Sequence, residues 1–288
     1  MAETSRLALN VLKATGLYSD EALARIAEQR AANPGMGLAE ATVKFGGVKE
    51  AEFLQKVGEF LGFDYIDLEK AGVFFCDRET VNMTEKMKVT TCLNPLHTAM
   101  SVYGCLLGYT LICEEMKDEE IVKLVKRLGY VEGLPVVVDP KILSPKAFID
   151  EVVNERLPNP FMPDDPRRIA TDTSQKVGIR FGETIKSYIK EGRDLGGLVA
   201  IPLAIAGWLR YLNGTFDDGK PMEVSPDPLK DELMAKVKAG EIREILSNAS
   251  IFGLDLTTTP IADKVEGYYR RLLEGPGSAR RLLKEELA

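Results

Sequence analysis

The sequence predicts a mainly α-helical protein in two parts, a small helical module in residues 1–68 and a larger multi-helix domain in residues 69–288. Two observations predict this. Apolar residues recur at the spacing of one helix face through much of the chain. Glycine- and proline-rich stretches interrupt that spacing at intervals, as they do where helices end.

The first 68 residues contain signals for short helices. Ser19 is a suitable N-cap, and acidic residues follow it in the first turn. Leu23 and Ile26 continue at helical spacing, and Asn33–Gly37 ("NPGMG") breaks the helix. A helix, a Gly-Gly turn and a second helix come next, and the module has room for one or two short strands before Leu68.

Composition excludes some function classes. The net charge is −7, and no run of Lys or Arg predicts a nucleic-acid surface. A small anionic ligand would therefore need a local cationic pocket. The start, "MAETSRLALN", has no basic region followed by an apolar block, which favours a cytoplasmic protein. The apolar stretch Gly196–Leu209 is too short to span a membrane, and we interpret it as a buried helix.

The four cysteines form no CxxC pair, and a single histidine cannot complete a usual zinc site. We therefore predict no metal site and expect reduced, buried thiols. The cysteines are Cys76, Cys92, Cys105 and Cys113.

The only histidine, His97, lies in the stretch "TTCLNPLHTAM". Asn94 is a suitable N-cap and Pro95 a favoured first helical residue, which would make His97 the third residue of a helix. Asn94 and His97 then project from the same side. Ser101, Gly104 and Gly108 continue as a face of small residues that allows close approach. Without further context, a lone histidine is more often structural than catalytic.

A second stretch, "NPFMPDDPRRIATDTSQKVGIRF", concentrates positive charge at Arg167, Arg168 and Lys176. Such a group can bind a carboxylate or phosphate. The alternative is pairing with nearby acids, and charge pattern alone favours it. Those acids are Asp164, Asp165 and Asp172. A third stretch, Leu203–Pro228, predicts a buried helix and then a turn at "DDGK".

In this order the three stretches resemble the C-terminal domain of the long-chain mannitol dehydrogenase family, in its D-mannonate oxidoreductase (fructuronate reductase) branch. The resemblance covers about residues 69–288. It implies a multi-helix fold of the 6-phosphogluconate-dehydrogenase C-terminal-like type. It also implies NAD-dependent oxidation of a small polyol or sugar acid.

The family motif carries a lysine base, an asparagine that donates to the developing alkoxide and a histidine that positions the oxygen. The matching residues are Lys88, Asn94 and His97. The spacing from Lys88 to Asn94 is one residue longer than in the mannitol branch, so Lys86 is the alternative base. By the same resemblance, Arg168 and Lys176 bind the polar end of the sugar.

No glycine pattern for a nucleotide accompanies these motifs. "GMG" at Gly35 lacks a third glycine, and "GPG" at Gly275 has a proline and no preceding strand. Little or no turnover is therefore expected from the chain alone. A GxxxxGK[ST] phosphate loop is also missing from the sequence, so ATPase activity is excluded.

The stretches "GLYSDEALARIAEQR" and "VKFGGVKEAEFLQKVGEFLGFDYIDL" resemble the N-terminal domain of type II secretion and type IV pilus assembly ATPases, over about residues 7–68. That resemblance implies a partner in a secretion platform. Some members bind a cyclic dinucleotide, although their Arg-rich ligand motif is not evident here. A simple helical packing module is the alternative.

Three functions stay open at this point. The chain is the substrate domain of an oxidoreductase, or an adaptor that docks a secretion component, or a chimera with no evolved function. In the last case, we expect self-association through an apolar surface that a cofactor domain would cover.

Overall fold

The structure, a computed structural model, describes residues 12–13, 15–33, 35–36, 38–61, 93–137 and 144–288. Two of the four cysteines and the candidate bases Lys86 and Lys88 lie outside these ranges. The chain divides into two compact units, Met1–Cys76 and Asp77–Ala288. The predicted boundary at residues 68 and 69 stays a prediction.

Three helices make up the described part of the smaller unit: α1 (Asp20–Ala32), α2 (Leu38–Gly46) and α3 (Glu50–Leu61). The Ser19 hydroxyl accepts a hydrogen bond from Ala22 N at 3.2 Å, so the predicted N-cap is confirmed. Buried residues from the three helices and the preceding segment form a small core of their own. They are Leu12, Tyr18, Ala22, Ile26, Ala41 and Phe53.

The larger unit consists of short helices around one hydrophobic core. Within the described ranges, its α-helices are α4 (Asn94–Leu107), α5 (Ile112–Glu115), α6 (Glu119–Lys126), α7 (Pro145–Glu151), α8 (Pro166–Ile169), α9 (Glu183–Lys190), α10 (Ala200–Tyr211), α11 (Lys230–Ala239), α12 (Ile242–Ser247), α13 (Ala249–Phe252), α14 (Pro260–Leu272) and α15 (Ser278–Glu286). They are connected by π-helical turns at Arg127–Gly133, Val152–Arg156 and Gly178–Gly182 and by 3-10 turns at Leu134–Val136, Thr173–Gln175 and Leu256–Thr258.

Helix α10 lies at the centre of this unit, and every one of its residues is buried. It packs mainly against α4 and α14. The Tyr103 hydroxyl of α4 donates to Leu203 O at 3.0 Å. A Cβ at Gly207 would meet the Tyr103 ring, so glycine lets the two helices approach closely here. The prediction of a buried helix within Gly196–Leu209 is confirmed.

The N-terminus of α10 is held by a buried carboxylate from a distant π-helical turn. Glu132, with 1% of its surface exposed, accepts hydrogen bonds from Val199 N at 2.7 Å, Ala200 N at 2.7 Å and Ile201 N at 2.8 Å. Arg127 Nε lies 3.3 Å from the same carboxylate. Three N–H groups that a helix leaves unpaired are thereby satisfied, and the negative charge faces the positive end of the helix dipole.

Two sequence predictions about α4 are wrong in detail. Leu93 occupies the N-cap position and Asn94 is the first helical residue, which makes His97 the fourth residue of the helix rather than the third. Gly108 does not continue the face of small residues. With φ of 82°, it ends the helix in the left-handed conformation that glycine adopts easily.

The group that closely approaches Gly104, as the sequence predicted, is the carboxyl of Glu115 in helix α5. A Cβ at Gly104 would overlap the Glu115 side chain, which is fully buried. Neither Glu115 oxygen has a hydrogen-bond partner among the residues that the structure describes. Burial raises the pKa of Glu115 well above its usual value, with smaller contributions from Asp118 and Asp165. Ionisation of this carboxyl is therefore disfavoured in the folded protein.

The predicted turn after α10 is also present. Phe216 N donates to Lys220 O at 2.9 Å, and Thr215 and Pro221 form an isolated antiparallel bridge. Gly219 takes φ of 86° at the turn.

The two described cysteines, Cys105 and Cys113, are both buried thiols. Among the helices of the described ranges, none is long and apolar enough to cross a membrane.

We predict that Glu132→Ala lowers the free energy of unfolding by at least about 3 kcal/mol, because it leaves three buried N–H groups without an acceptor. Glu132→Gln should cost about 1–2 kcal/mol, because one acceptor oxygen is retained and the charge is lost. Urea unfolding followed by circular dichroism measures both changes. The control Glu155→Ala, at an exposed position, should change stability by less than about 0.5 kcal/mol. Equal stability of Glu132→Ala and wild type would contradict the importance of this contact.

Candidate functional site

His97 lies half-buried near the start of α4 and lines a cavity of about 380 Å³. That volume is within the range of small-molecule pockets. The other lining residues come from the segment before α4, from α5 and from the region between residues 156 and 168. They are Leu93, Ile112, Arg156, Leu157, Met162, Pro163, Asp164 and Arg168.

Arg168 lines this cavity, and its guanidinium is paired with the carboxylate of Asp164. Its Nε donates to Asp164 Oδ1 at 2.7 Å and its Nη2 to Asp164 Oδ2 at 2.6 Å. The side chain of Arg168 is 72% exposed, so solvent and ligands can reach it. Asp164 is fixed in turn, because its backbone O accepts from Ile112 N at 2.9 Å. The predicted local pairing is therefore present for Arg168, and an equivalent pair joins Arg167 to Asp165.

Within the described ranges, Lys176 is bound to backbone oxygens rather than to an acid. Its Nζ donates to Thr171 O and, at 3.3 Å, to Ile169 O. The segment that carries it turns at Asp172, which has φ of 53°, a left-handed conformation that Asp tolerates better than most residues. The hydrogen bonds of Lys176 therefore do not include the predicted alternative, a pair with Asp172.

The second and third sequence stretches meet behind Lys176. Ser174 donates through its N to Asp227 Oδ2 at 2.8 Å and through its Oγ to Asp227 Oδ1 at 2.6 Å. Ser225 Oγ donates to Arg167 O at 2.8 Å and is itself bound by the Tyr211 hydroxyl at the end of α10. These contacts connect the cationic segment to the central helix.

Arg180 lies next to the site, although it does not line the cavity, and the sequence interpretation missed it. It lies in the π-helical turn Gly178–Gly182, and its Nη1 donates to the hydroxyl of Thr98, the residue after His97. Its charge acts on both His97 and Lys176. A signal was present in "VGIRFG", where one basic residue, Arg180, is surrounded by apolar residues and glycines. The turn itself packs closely, because a Cβ at Gly182 would overlap Phe252 O.

Burial and mutual repulsion shift the ionisation of this group of residues. Burial lowers the pKa of His97, and the charges of Arg180 and Arg168 lower it further, while Asp164 opposes them. Burial and the Arg180 charge lower the pKa of Lys176. Burial lowers the pKa of Arg180 to about 10. At pH 7, His97 is therefore mainly neutral, and Arg180 is charged.

The structure brings some of the predicted site residues together. His97 and Arg168 share the cavity. Lys176 lies within electrostatic reach of Arg168, although it does not line the cavity. Asn94 is half-buried at the first position of α4, and its O accepts from the Thr98 hydroxyl at 3.0 Å. The candidate bases Lys88 and Lys86 lie outside the described residues.

Comparison with known proteins identifies the family. A family profile described as the mannitol dehydrogenase C-terminal domain matches residues 80–273. The chain belongs to the mannitol dehydrogenase family. A D-mannonate oxidoreductase from Thermotoga maritima is 51% identical over 225 residues, which are 74% of this chain and 41% of that protein. A mannitol 2-dehydrogenase from Aspergillus fumigatus is 35% identical, over 65% of this chain and 37% of that protein.

A solved structure supports the fold. The mannitol 2-dehydrogenase of Pseudomonas fluorescens, in a ternary complex with NAD and D-mannitol, superposes with a TM-score of 0.65 at 25% identity. The superposition covers 77% of this chain and 44% of that one. The mainly helical prediction for the mannitol dehydrogenase C-terminal part is confirmed. The chain spans less than half the length of the curated relatives that it matches.

The N-terminal resemblance has no such support. The family match begins at residue 80 and does not reach residues 1–68. Nothing in these comparisons supports a secretion-ATPase module, a secretion-platform partner or a cyclic dinucleotide ligand. For this part of the chain, the structure shows the helices α1, α2 and α3 and their small core.

We predict that the imidazole of His97 titrates below pH 6.5, its usual midpoint, because its folded environment disfavours the cation. As the pH falls through 6.5, the unfolded chain binds a proton that the folded chain resists, so the free energy of unfolding should decrease. Since His97 is the only histidine, its proton NMR signals need no assignment. The variant His97→Gln should lose this part of the pH dependence of stability. A midpoint above 6.5 would contradict the electrostatic description.

Proposed function

We propose that this chain provides the substrate-binding part of an oxidoreductase that interconverts a sugar acid and its keto form, of the D-mannonate and D-fructuronate type. The observation that supports it most strongly is the cavity, because neutral His97 and the exposed guanidinium of Arg168 both line it. The 51% identity to a D-mannonate oxidoreductase favours the sugar acid over the neutral polyol as substrate.

The proposed roles follow the chemistry of the side chains. Neutral His97 can accept a hydrogen bond from a substrate hydroxyl, and Asn94 can donate one to the oxygen as negative charge develops on it. Arg168, although paired with Asp164, is exposed and keeps N–H donors for sugar hydroxyls. Lys176 supplies positive charge nearby. Lys88 is the proposed general base, with Lys86 as its alternative.

NAD as hydride acceptor is part of the proposal by family. The described residues do not fit a dinucleotide site of the Rossmann type, because they contain no strand leading into a glycine-rich loop and only one isolated bridge, at Thr215 and Pro221. No step through NAD is therefore derived for this chain. A cytoplasmic location also stays a prediction.

Calorimetric titration of the chain with D-mannonate and D-fructuronate tests the proposal. We expect saturable binding of at least one of the two sugar acids. Arg168→Ala should weaken it at least about tenfold, which corresponds to about 1.4 kcal/mol, because hydrogen bonds to the sugar are lost.

Arg193→Ala is the matched control. Arg193 is also an exposed arginine paired with a local carboxylate, with its Nε 2.6 Å from Glu191, but it lies outside the cavity. This variant should bind like wild type. No binding of either sugar acid to the wild-type chain at millimolar concentration, or equal effects of the two substitutions, would refute the proposed role of the cavity.

A further inference from the structure

The cationic residues near His97 differ in how their charges are compensated. Arg168 is paired with the Asp164 carboxylate through two hydrogen bonds. Lys176 donates to two backbone oxygens, at Thr171 and Ile169. Arg180 has a single hydrogen-bond partner among the described residues, the neutral hydroxyl of Thr98. In that part of the chain, no carboxylate pairs with Arg180.

This arrangement is unfavourable for a guanidinium in the folded protein. Burial alone is enough to lower the pKa of Arg180 to about 10. Arginine is normally buried with a carboxylate or phosphate, because its planar group presents five N–H donors and a full positive charge. Here one donor is used by Thr98, which is itself buried. An anion with two acceptor oxygens would bind the other N–H donors of Arg180 and balance its positive charge.

The position of Arg180 indicates which anion. Its partner, Thr98, follows His97 directly along α4, and its charge acts on both His97 and Lys176. Arg180 does not line the cavity, but its charge acts on His97, which does, so a ligand bound beside His97 in the proposed substrate site is within electrostatic reach of this guanidinium. D-Mannonate and D-mannitol differ only at C1, which is a carboxylate in the first and a hydroxymethyl group in the second.

We propose that Arg180 binds the carboxylate of the substrate and is the residue that selects a sugar acid over a neutral polyol. This inference rests on the proposed function and adds a residue to it. Arg168, already neutralised by Asp164, then contributes hydrogen bonds to hydroxyls that acid and polyol share. The two arginines thus have separable effects on binding.

Binding of D-mannonate and D-mannitol to Arg180→Met and to Arg168→Ala separates the two roles. Met retains length and apolar bulk without the charge. We expect Arg180→Met to weaken D-mannonate binding at least about tenfold and to leave D-mannitol binding within about twofold of wild type. Arg168→Ala should weaken both ligands alike. Equal loss of acid and polyol in Arg180→Met, or no loss of acid, would overturn the assignment.

The imidazole of His97 provides a second readout. Removing the Arg180 charge should raise the pKa of His97, because one of the groups that lowers it is gone. Bound D-mannonate should raise this pKa in wild type by neutralising Arg180 and should have a smaller effect in Arg180→Met. D-Mannitol should have little effect in either. A pKa of His97 that is insensitive to both the substitution and the acid would refute the proposal.

A structural role and a binding role for Arg180 are distinguished by Thr98→Val, which removes the hydroxyl partner and keeps the guanidinium. If Arg180 only stabilises α4, then Thr98→Val and Arg180→Met should lower the unfolding midpoint alike, and D-mannonate should still bind to Arg180→Met. If Arg180 is the carboxylate site, D-mannonate binding should be lost in Arg180→Met and retained in Thr98→Val.

Acetate distinguishes failure of this inference from failure of the proposed function. If neither sugar ligand binds to wild type, the proposed function fails. In that case, acetate should still raise the pKa of His97 in wild type, relative to chloride at equal ionic strength, and should not do so in Arg180→Met. The absence of that difference would reject Arg180 as a carboxylate site independently. Tighter binding of mannitol 1-phosphate than of D-mannonate would also overturn the carboxylate assignment.

Discussion

The larger unit depends on burying the whole of helix α10, and that burial depends on Glu132. A helix with no exposed face cannot leave its first N–H groups to water, and a buried unpaired N–H group is costly. The carboxylate of Glu132 accepts from three of them at once. Its own charge is compensated by those donors, by the helix dipole and by Arg127. One acidic residue thereby makes a central apolar helix possible.

The site takes its geometry from this central helix. Helix α4 is placed on α10 by the fit of Tyr103 against Gly207 and by the hydrogen bond to Leu203 O. His97 lies in the first turn of the same helix, so its ring is presented from a rigid element. The cationic segment reaches α10 by another route, because Ser225 connects the Tyr211 hydroxyl to Arg167 O. Both sides of the site are therefore fixed to one buried helix.

Local signals could be predicted from the sequence, and long-range pairings could not. The Ser19 cap, the buried helix and the "DDGK" turn each depend on residues a few positions apart. Arg180 meets Thr98 across 82 residues, and Glu132 meets Ala200 across 68. Charge pattern alone cannot show which cation lacks a carboxylate. The cap of α4 was mispredicted because a strong N-cap residue, Asn94, lies inside the helix instead of before it.

The chemistry of each cation in the site follows from the kind of group that compensates it. A carboxylate partner neutralises Arg168, so it interacts with a ligand mainly through directional hydrogen bonds. Backbone oxygens fix the position of Lys176 without removing its charge. Among the described residues, a single hydroxyl binds Arg180 and leaves its charge intact in a partly buried environment, where electrostatic attraction is strong. Hydrogen bonding recognises the hydroxyls that acids and polyols share, whereas an uncompensated charge distinguishes them. On the proposed function, selectivity for a sugar acid should therefore reside in Arg180, the least compensated of these three cations within the described part of the chain.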